Sequence, residues 1–209
     1  MKYIDNVVKK SNLEHNDSIS VYGNWGAQQN PNTFETFFYF LEEIKPVRIL
    51  EIGTSIGGLT SFLNHTVKLL DINCKIISYD IVELNWYNDM RSEGIDVRIE
   101  NIFSNDYKEL KSEVIDFIKQ EGRTLILCDG GNKIGEFNIL SDVMKVDDII
   151  MAHDYSSNKE IFETKIKNKI WNWCEIVDED IKDAVVRNNL IPYKQEIFDN
   201  IVWVCKIKK

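Results

Sequence analysis

The chain has 209 residues, with 34 acidic against 25 basic side chains and a formal net charge of −9. That length suits one domain with a substantial core, and 44% hydrophobic with 28% charged residues excludes a disordered or fibrous chain. The acidic balance argues against a protein that grips a phosphate backbone, and no run approaches the roughly 18 apolar residues of a membrane span, so neither nucleic acid nor membrane is an expected partner.

Residues 1–5 lack the charged-then-apolar pattern of an export signal. Cys74, Cys128, Cys174 and Cys205 stand singly, without CxxC or metal-type spacing. Both features predict a cytoplasmic chain with reduced thiols. The basic groups at Lys9-Lys10, at Lys165, Lys167 and Lys169, and at Lys206, Lys208 and Lys209 read as solvated surface. Residues 1–32 read as an N-terminal segment that ends in a substrate-side loop, 21–32 (VYGNWGAQQNPN), rich in Gly, Asn, Gln and aromatics without a period. Residues 33–209 read as one domain.

Thr33 is the expected cap of a helix with Phe34, Phe37, Phe38, Leu41 and Ile44 on one face, stopped at Lys45-Pro46. From residue 47 onward, β-branched runs alternate with stretches of helical period, which predicts an α/β fold with a parallel sheet covered by helices on both faces. Strands are expected at 47–52 (VRILEI), 75–80 (KIISYD), 96–100 (DVRIE), 124–129 (TLILCD) and 148–153 (DIIMAH). Most lack alternation, as strands buried on both faces do. Helices are expected at 58–70, 84–93, 106–120 and 136–145, with Tyr107, Leu110, Val114 and Phe117 sharing one face of the third. Further on, 159–173 and 175–190 read as helical. Runs 193–198 and 201–207 read as strands joined by Asp199-Asn200, a two-residue hairpin signal. The expected sheet therefore has about seven strands, five parallel plus a C-terminal antiparallel hairpin.

The sharpest local feature is Glu51-Ile52-Gly53-Thr54-Ser55-Ile56-Gly57-Gly58, an acid and a glycine loop where the first strand passes into a helix. A dinucleotide site would want GxGxxG, whereas this sequence has GxxxGG with a carboxylate two residues before the first glycine. A carboxylate there repels diphosphate and suits a cationic amine or sulfonium. Asp80 closes the second strand 22 residues past Gly58, where an acid accepts hydrogen bonds from two ribose hydroxyls. These glycines also serve tight strand–helix packing, with Asp80 as a loop cap, and that alternative stays open. Asp129 ends the fourth strand and His153-Asp154 the fifth, so the three should converge beside the glycine loop, where two carboxylates and an imidazole can hold a divalent cation. The competing reading makes Asp129 a turn cap and His153-Asp154 a hydrogen-bonded pair. His15 and His65 read as structural or surface.

Together these segments resemble the class I S-adenosylmethionine-dependent methyltransferases, a Rossmann-like fold. Within them the chain resembles the metal-dependent small-molecule O-methyltransferases of the macrocin O-methyltransferase and cephalosporin hydroxylase-like group, and more distantly catechol O-methyltransferase. The motifs are ILEIGTSIGG for the cofactor, ISYDI for the ribose, LILCDGGNK after the fourth strand and DIIMAHDY after the fifth, over residues 23–209. The resemblance implies methyl transfer to a hydroxyl of a sugar, glycan or other polyhydroxylated small molecule. It implies that Gly53, Ser55 and Gly57 line the methionine part of S-adenosylmethionine, with Glu51 near it. Asp80 and Ile81 would meet the ribose, Asn101, Ile102 and Phe103 the adenine, and Asp129 would border the cofactor. Asp129, His153 and Asp154 would hold Mg²⁺ or Mn²⁺. His153 departs from the family's usual acidic residue, and nitrogen ligation shifts preference toward Mn²⁺ or a later metal. Alternatively His153 is not a ligand and acts as the base, although Lys133, just after the fourth-strand Asp, is the first choice for that role and otherwise a surface lysine. Trp25, Tyr22 and Tyr155 would wall the acceptor pocket or belong to the core. The Trp171–Trp173 region fits either core or an interface between copies, which leaves a homo-oligomer open. The competing functions are an NAD-dependent oxidoreductase or epimerase, disfavoured by the missing GxGxxG and by Glu51, and a non-catalytic binding module.

Overall fold

The computed structural model describes residues 7–9, 20–22 and 25–209. His15, residues 1–5, Lys10 of the basic pair and residues 23–24 of the expected loop lie outside these residues. The apolar runs form strands β1 (Arg48–Ile52), β2 (Lys75–Asp80), β3 (Asp96–Ile99), β4 (Thr124–Cys128) and β5 (Ile149–Ala152), followed by β6 (Leu190–Pro192) and β7 (Val204–Lys208). They make one seven-stranded sheet in the order β6-β7-β5-β4-β1-β2-β3. The first five strands are parallel to their neighbours among themselves, and β7 runs antiparallel to both β5 and β6. Helices α1 (Asn32–Ile44), α2 (Gly58–Leu69), α3 (Tyr87–Ser92), α4 (Ser112–Lys119), α5 (Lys133–Val143) and α6 (Asp178–Arg187) complete the frame.

Successive strand residues point to opposite faces, so a strand apolar at every position needs cover on both sides. Ile49, Leu125, Leu127, Ile149 and Met151 pack with Phe34, Phe37, Phe62 and Leu63 of α1 and α2. Leu50, Ile126, Cys128, Ile150 and Ala152 pack with Val114, Phe117, Phe137, Leu140 and Ile181 of α4, α5 and α6. The strand order changes direction between β1 and β4, which opens a crevice at their C-terminal ends. Among the described residues no helix is long and apolar enough to cross a membrane.

The five parallel strands fall within one or two residues of their predicted spans, and several other elements differ. Residues 21–32 are not one loop, because Ser20–Tyr22 and Trp25–Ala27 pair antiparallel, Tyr22 opposite Trp25. Trp25 and Ala27 are buried on one face with Gly26 between them less so, the period-2 pattern of a strand. The third helix starts at Ser112 rather than 106, because Asn105, Asp106 and Tyr107 all have positive φ (50°, 52° and 61°) and turn the chain so that Phe103–Ser104 pairs with Glu109–Leu110. Residues 159–173 hold only a short α turn, Lys159–Ile161, and a π-helical turn, Phe162–Ile166, while Ile176–Val177 is a strand paired with Tyr155–Ser156.

At the C-terminus the antiparallel pair is Leu190–Pro192 with Val204–Lys208, and residues 195–201 form helical turns between them. Gln195 holds that connection, accepting from the Cys205 N–H at 2.8 Å and donating to the Trp203 carbonyl at 2.9 Å. Phe198 and Ile201 are fully buried there, so the apolar residues that suggested a strand anchor a helical plug. In α1, Phe40 rather than Phe38 completes the buried face, Thr33 is buried instead of capping, and the helix closes on Lys45 at φ 41°.

Candidate functional site

Every polar group picked out from the motifs lies at the C-terminal ends of β1, β2, β4 and β5. The glycine loop leaves β1 with Gly53 at φ 94°, and a side chain there would put its Cβ 2.2 Å from the Asp129 carbonyl. Only glycine lets the loops after β1 and β4 close on each other. Ser55 follows at φ 48°, and its N–H donates to Asp80 Oδ2 at 2.8 Å. The other Asp80 oxygen accepts from the N–H groups of Ile81 and Val82 at 2.7 and 3.0 Å. The Tyr87 hydroxyl lies 2.7 Å from the Ser55 carbonyl and 3.2 Å from Asp80 Oδ2.

Glu51 takes a different place from the loop it precedes. It is sealed beneath the loop, lines neither cavity, and accepts from Thr60 Oγ1 and Ser78 Oγ, each at 2.6 Å. Burial pushes its carboxyl up to about 7, against the lowering effect of those two hydroxyls. At neutral pH it is therefore partly neutral, which weakens the repulsion argument for excluding diphosphate.

Two cavities of about 310 and 370 Å³ open at this end of the sheet and share Gly53, Ser55, Asp129 and Gly130 as a common wall. The larger holds Asp80, Ile81, Asn101, Ile102, Phe103 and Asp129. The smaller holds Gly53, Ser55, Gly57, Asp129, Lys133, His153 and Asp154. The structure thus brings every predicted site residue except Glu51 to one of two joined cavities. Tyr22 stacks in the core against Phe34 and Phe62, Trp25 clusters with Tyr87 and Met90, and buried Tyr155 donates to Asp178 at 3.0 Å. None of the three lines either cavity, so they are core residues; Gln28, Gln29, Trp171 and Trp173 stand at the wall instead.

The smaller cavity has a charged floor. Asp129, His153 and Asp154 each present a donor atom within 4.8 Å of the others. His153 Nδ1 lies 3.1 Å from Asp129 Oδ1 and 3.5 Å from Asp154 Oδ1. Its other nitrogen is buried without a partner among the described residues, and its ring lies 5.1 Å from Trp171 and 4.9 Å from Trp203. Burial alone would lower the His153 pKa, but Asp129 and Asp154 raise it above the ordinary value. Asp154 sits at φ 56°, a conformation that costs a non-glycine residue energy and places its carboxylate where the Trp171 indole N–H donates to it. Burial opposes ionisation there too, yet His153 and Lys133 hold the Asp154 carboxyl below its usual range.

Lys133, the first residue of α5, is 6% exposed and reaches Glu175 at 2.8 Å, Asp154 at 3.0 Å, Asp129 at 3.6 Å and the Gly130 carbonyl at 3.1 Å. Burial would depress its pKa, but the surrounding carboxylates overcome this and hold it well above the ordinary value. Gln29 links the floor to the core, donating to Asp129 Oδ2 at 2.7 Å and accepting from Trp203 Nε1 at 3.1 Å.

Gln29, Tyr87, Trp171, Glu175 and Glu136 also stand at or beneath the site without being marked as site residues by the motifs. Glu136 is buried under the loop after β4, accepting from Gly130 and Asn132 N–H at 3.1 and 3.2 Å, and burial raises its carboxyl to about 7. It stands four residues after the helix cap Asn132, one beyond the capping-box position, so no cap pattern marks it. The others come from elements whose sequence carries no catalytic signature.

No protein-family model and no curated protein matches the chain. Solved structures do match in fold. The apo structure of CmcI superposes with a TM-score of 0.58 at 14% identity, covering 88% of this chain and 73% of that one. CmcI in its Mg-SAM form gives 0.55 at 15% identity, with 87% and 73% covered. A candidate caffeoyl-CoA O-methyltransferase from Staphylococcus aureus gives 0.53 at 12% identity, with 85% and 83% covered. The chain thus shares the fold of these solved structures. At these identities the likeness establishes architecture, and the chemistry has to be argued from this chain's own residues.

Proposed function

We propose that this chain is an S-adenosylmethionine-dependent O-methyltransferase acting on a sugar or other polyhydroxylated small molecule, assisted by a divalent cation and working in the cytoplasm. The observation that carries the reading is the pair of cavities joined through Gly53, Ser55, Asp129 and Gly130, with Asp80 at one end and the Asp129, His153 and Asp154 cluster at the other. In this reading the larger cavity takes adenosine: Asp80 accepts from the ribose, and Asn101, Ile102 and Phe103 border the base. The methionine part lies along Gly53, Ser55 and Gly57, which brings the sulfonium to the edge of the smaller cavity. Before an ion binds, Asp129, Asp154 and Glu175 outweigh Lys133 in charge even when His153 is protonated, so the floor favours cations.

The donor set fits a cation, because two carboxylates and an imidazole converge within 4.8 Å. Asp129, His153 and Asp154 would hold Mg²⁺ or Mn²⁺, which when bound lowers the pKa of an acceptor hydroxyl. The protein's own residues do the rest. Gln29 fixes the Asp129 carboxylate, and Trp171 fixes Asp154. Trp173, at 39% exposure on the cavity wall, offers an apolar face against which a sugar ring can stack. Lys133 is held charged and supplies positive charge rather than proton acceptance. His153 is ligand or base and not both: where the ion does not engage its ring, proton acceptance falls to the His153–Asp129 pair, whose atoms stand 3.1 Å apart. Transfer itself is in-line displacement at the methyl group, in which positioning does most of the work.

The test is methyl transfer from radiolabelled S-adenosylmethionine to a panel of sugars, glycosides and catechols, with and without Mn²⁺. The reading expects transfer to hydroxylated acceptors that is lost in Asp129→Ala. Cofactor binding with no transfer to any acceptor under either condition would instead favour a non-catalytic binding module.

A further inference from the structure

Lys133 engages two of the groups that would hold the proposed cation. Its ammonium has three protons, and three oxygens lie within hydrogen-bond reach: Glu175 at 2.8 Å, Asp154 at 3.0 Å and the Gly130 carbonyl at 3.1 Å. Asp129 lies 3.6 Å away. Two of these four groups, Asp154 and Asp129, belong to the cation's donor set.

The placement runs against the local helix, because Lys133 is the first residue of α5 and a helix N-terminus carries partial positive charge. A lysine at that position with 6% exposure persists only because these oxygens surround it. Asp154 adds to the arrangement, since its left-handed backbone aims the carboxylate at both Lys133 and Trp171. A divalent ion bonded to Asp154 at about 2.1 Å would sit within a few ångströms of the ammonium, at a spot where burial leaves their repulsion poorly screened.

We infer that Lys133 is the built-in counter-ion of this seat, and that a divalent cation binds by exchange with it. The ion takes Asp154 and Asp129, while the ammonium withdraws onto Glu175 and the Gly130 carbonyl. Glu175 is suited to that role because its side chain is 47% exposed and free to follow the lysine toward solvent. The use of the cation rests on the methyltransferase reading, whereas the exchange is a statement about affinity and is tested without activity.

The experiment is Mn²⁺ titration of the full chain, followed by the loss of the free-ion paramagnetic resonance signal, on wild type, Lys133→Met, Lys133→Gln and Lys133→Arg. Binding of S-adenosylhomocysteine is measured on the same samples. Exchange predicts that Met and Gln bind Mn²⁺ at least tenfold tighter than wild type, while Arg, which keeps the charge, shows no gain. Equal affinity in wild type and the two neutral variants overturns the inference, and so does the absence of Mn²⁺ binding in both. Failure of wild type to bind S-adenosylhomocysteine overturns the methyltransferase reading alone and leaves the Mn²⁺ comparison standing.

Discussion

The backbone N–H of Ser55 donates to Asp80 Oδ2 at 2.8 Å, which ties the glycine loop after β1 to the acid that closes β2. With Ile81 and Val82 N–H on the other oxygen and the Tyr87 hydroxyl near the first, the acceptor capacity of Asp80 is filled within the protein. The Tyr87 hydroxyl has one proton and two acceptors, the Ser55 carbonyl and Asp80, so it can yield the Asp80 position to an incoming ribose and keep its bond to Ser55.

Tyr87→Phe should therefore loosen the loop and leave the Ser55 carbonyl without this donor. A net hydrogen bond is worth about 1 kcal/mol, so affinity for S-adenosylhomocysteine should fall by about fivefold. Calorimetry on the variant checks this, and an unchanged Kd would show that the hydroxyl has no part in shaping the loop.

Gly53→Ala faces two obstacles, a φ of 94° and a Cβ placed 2.2 Å from the Asp129 carbonyl. Backbone strain of this kind costs on the order of 1–3 kcal/mol before the clash is counted. Urea unfolding should show destabilisation of at least about 2 kcal/mol. Wild-type stability would mean that the loops after β1 and β4 are not in fact held this close.

Glu51 sets a pH dependence whose sign follows from its raised pKa of about 7 against an ordinary 4.5. Between these values the folded chain binds more protons than the unfolded one, so its stability falls as pH rises through about 7. Glu51→Gln keeps an acceptor for Thr60 and Ser78 and removes the ionisation. Denaturant midpoints measured from pH 5 to 8 should decline less in the variant than in wild type, by up to about 3 kcal/mol across the window. Parallel pH profiles would contradict the buried-carboxyl assignment.

Much of this architecture was legible because burial on both sheet faces leaves an unbroken apolar run, and runs such as 124–129 (TLILCD) announce themselves without any partner. The polar strand-end residues were legible for the same reason, since the end of each run fixes where Asp80, Asp129 and His153 must stand. Elements decided by tertiary contacts were not. Tyr107 falls in helical phase with Leu110, Val114 and Phe117, which predicts a helix from 106, yet three successive left-handed residues, 105–107, turn the chain. Gly23-Asn24 between Tyr22 and Trp25 was a hairpin signal hidden by the polar residues that follow. Lys133 and Asp129, four residues before it, were visible in the motif, but of its other two carboxylate neighbours one follows β5 and one stands on a segment 42 residues away, and no spacing rule reports that meeting.

The most direct test of the whole account is calorimetric titration of S-adenosylhomocysteine into wild type and Asp80→Ala. The account predicts saturable one-to-one binding by wild type and a loss of at least tenfold in affinity when the ribose acceptor is removed, with Asp80→Ala still folded by circular dichroism. No binding by wild type, or equal binding by both proteins, would contradict the assignment of these joined cavities to S-adenosylmethionine.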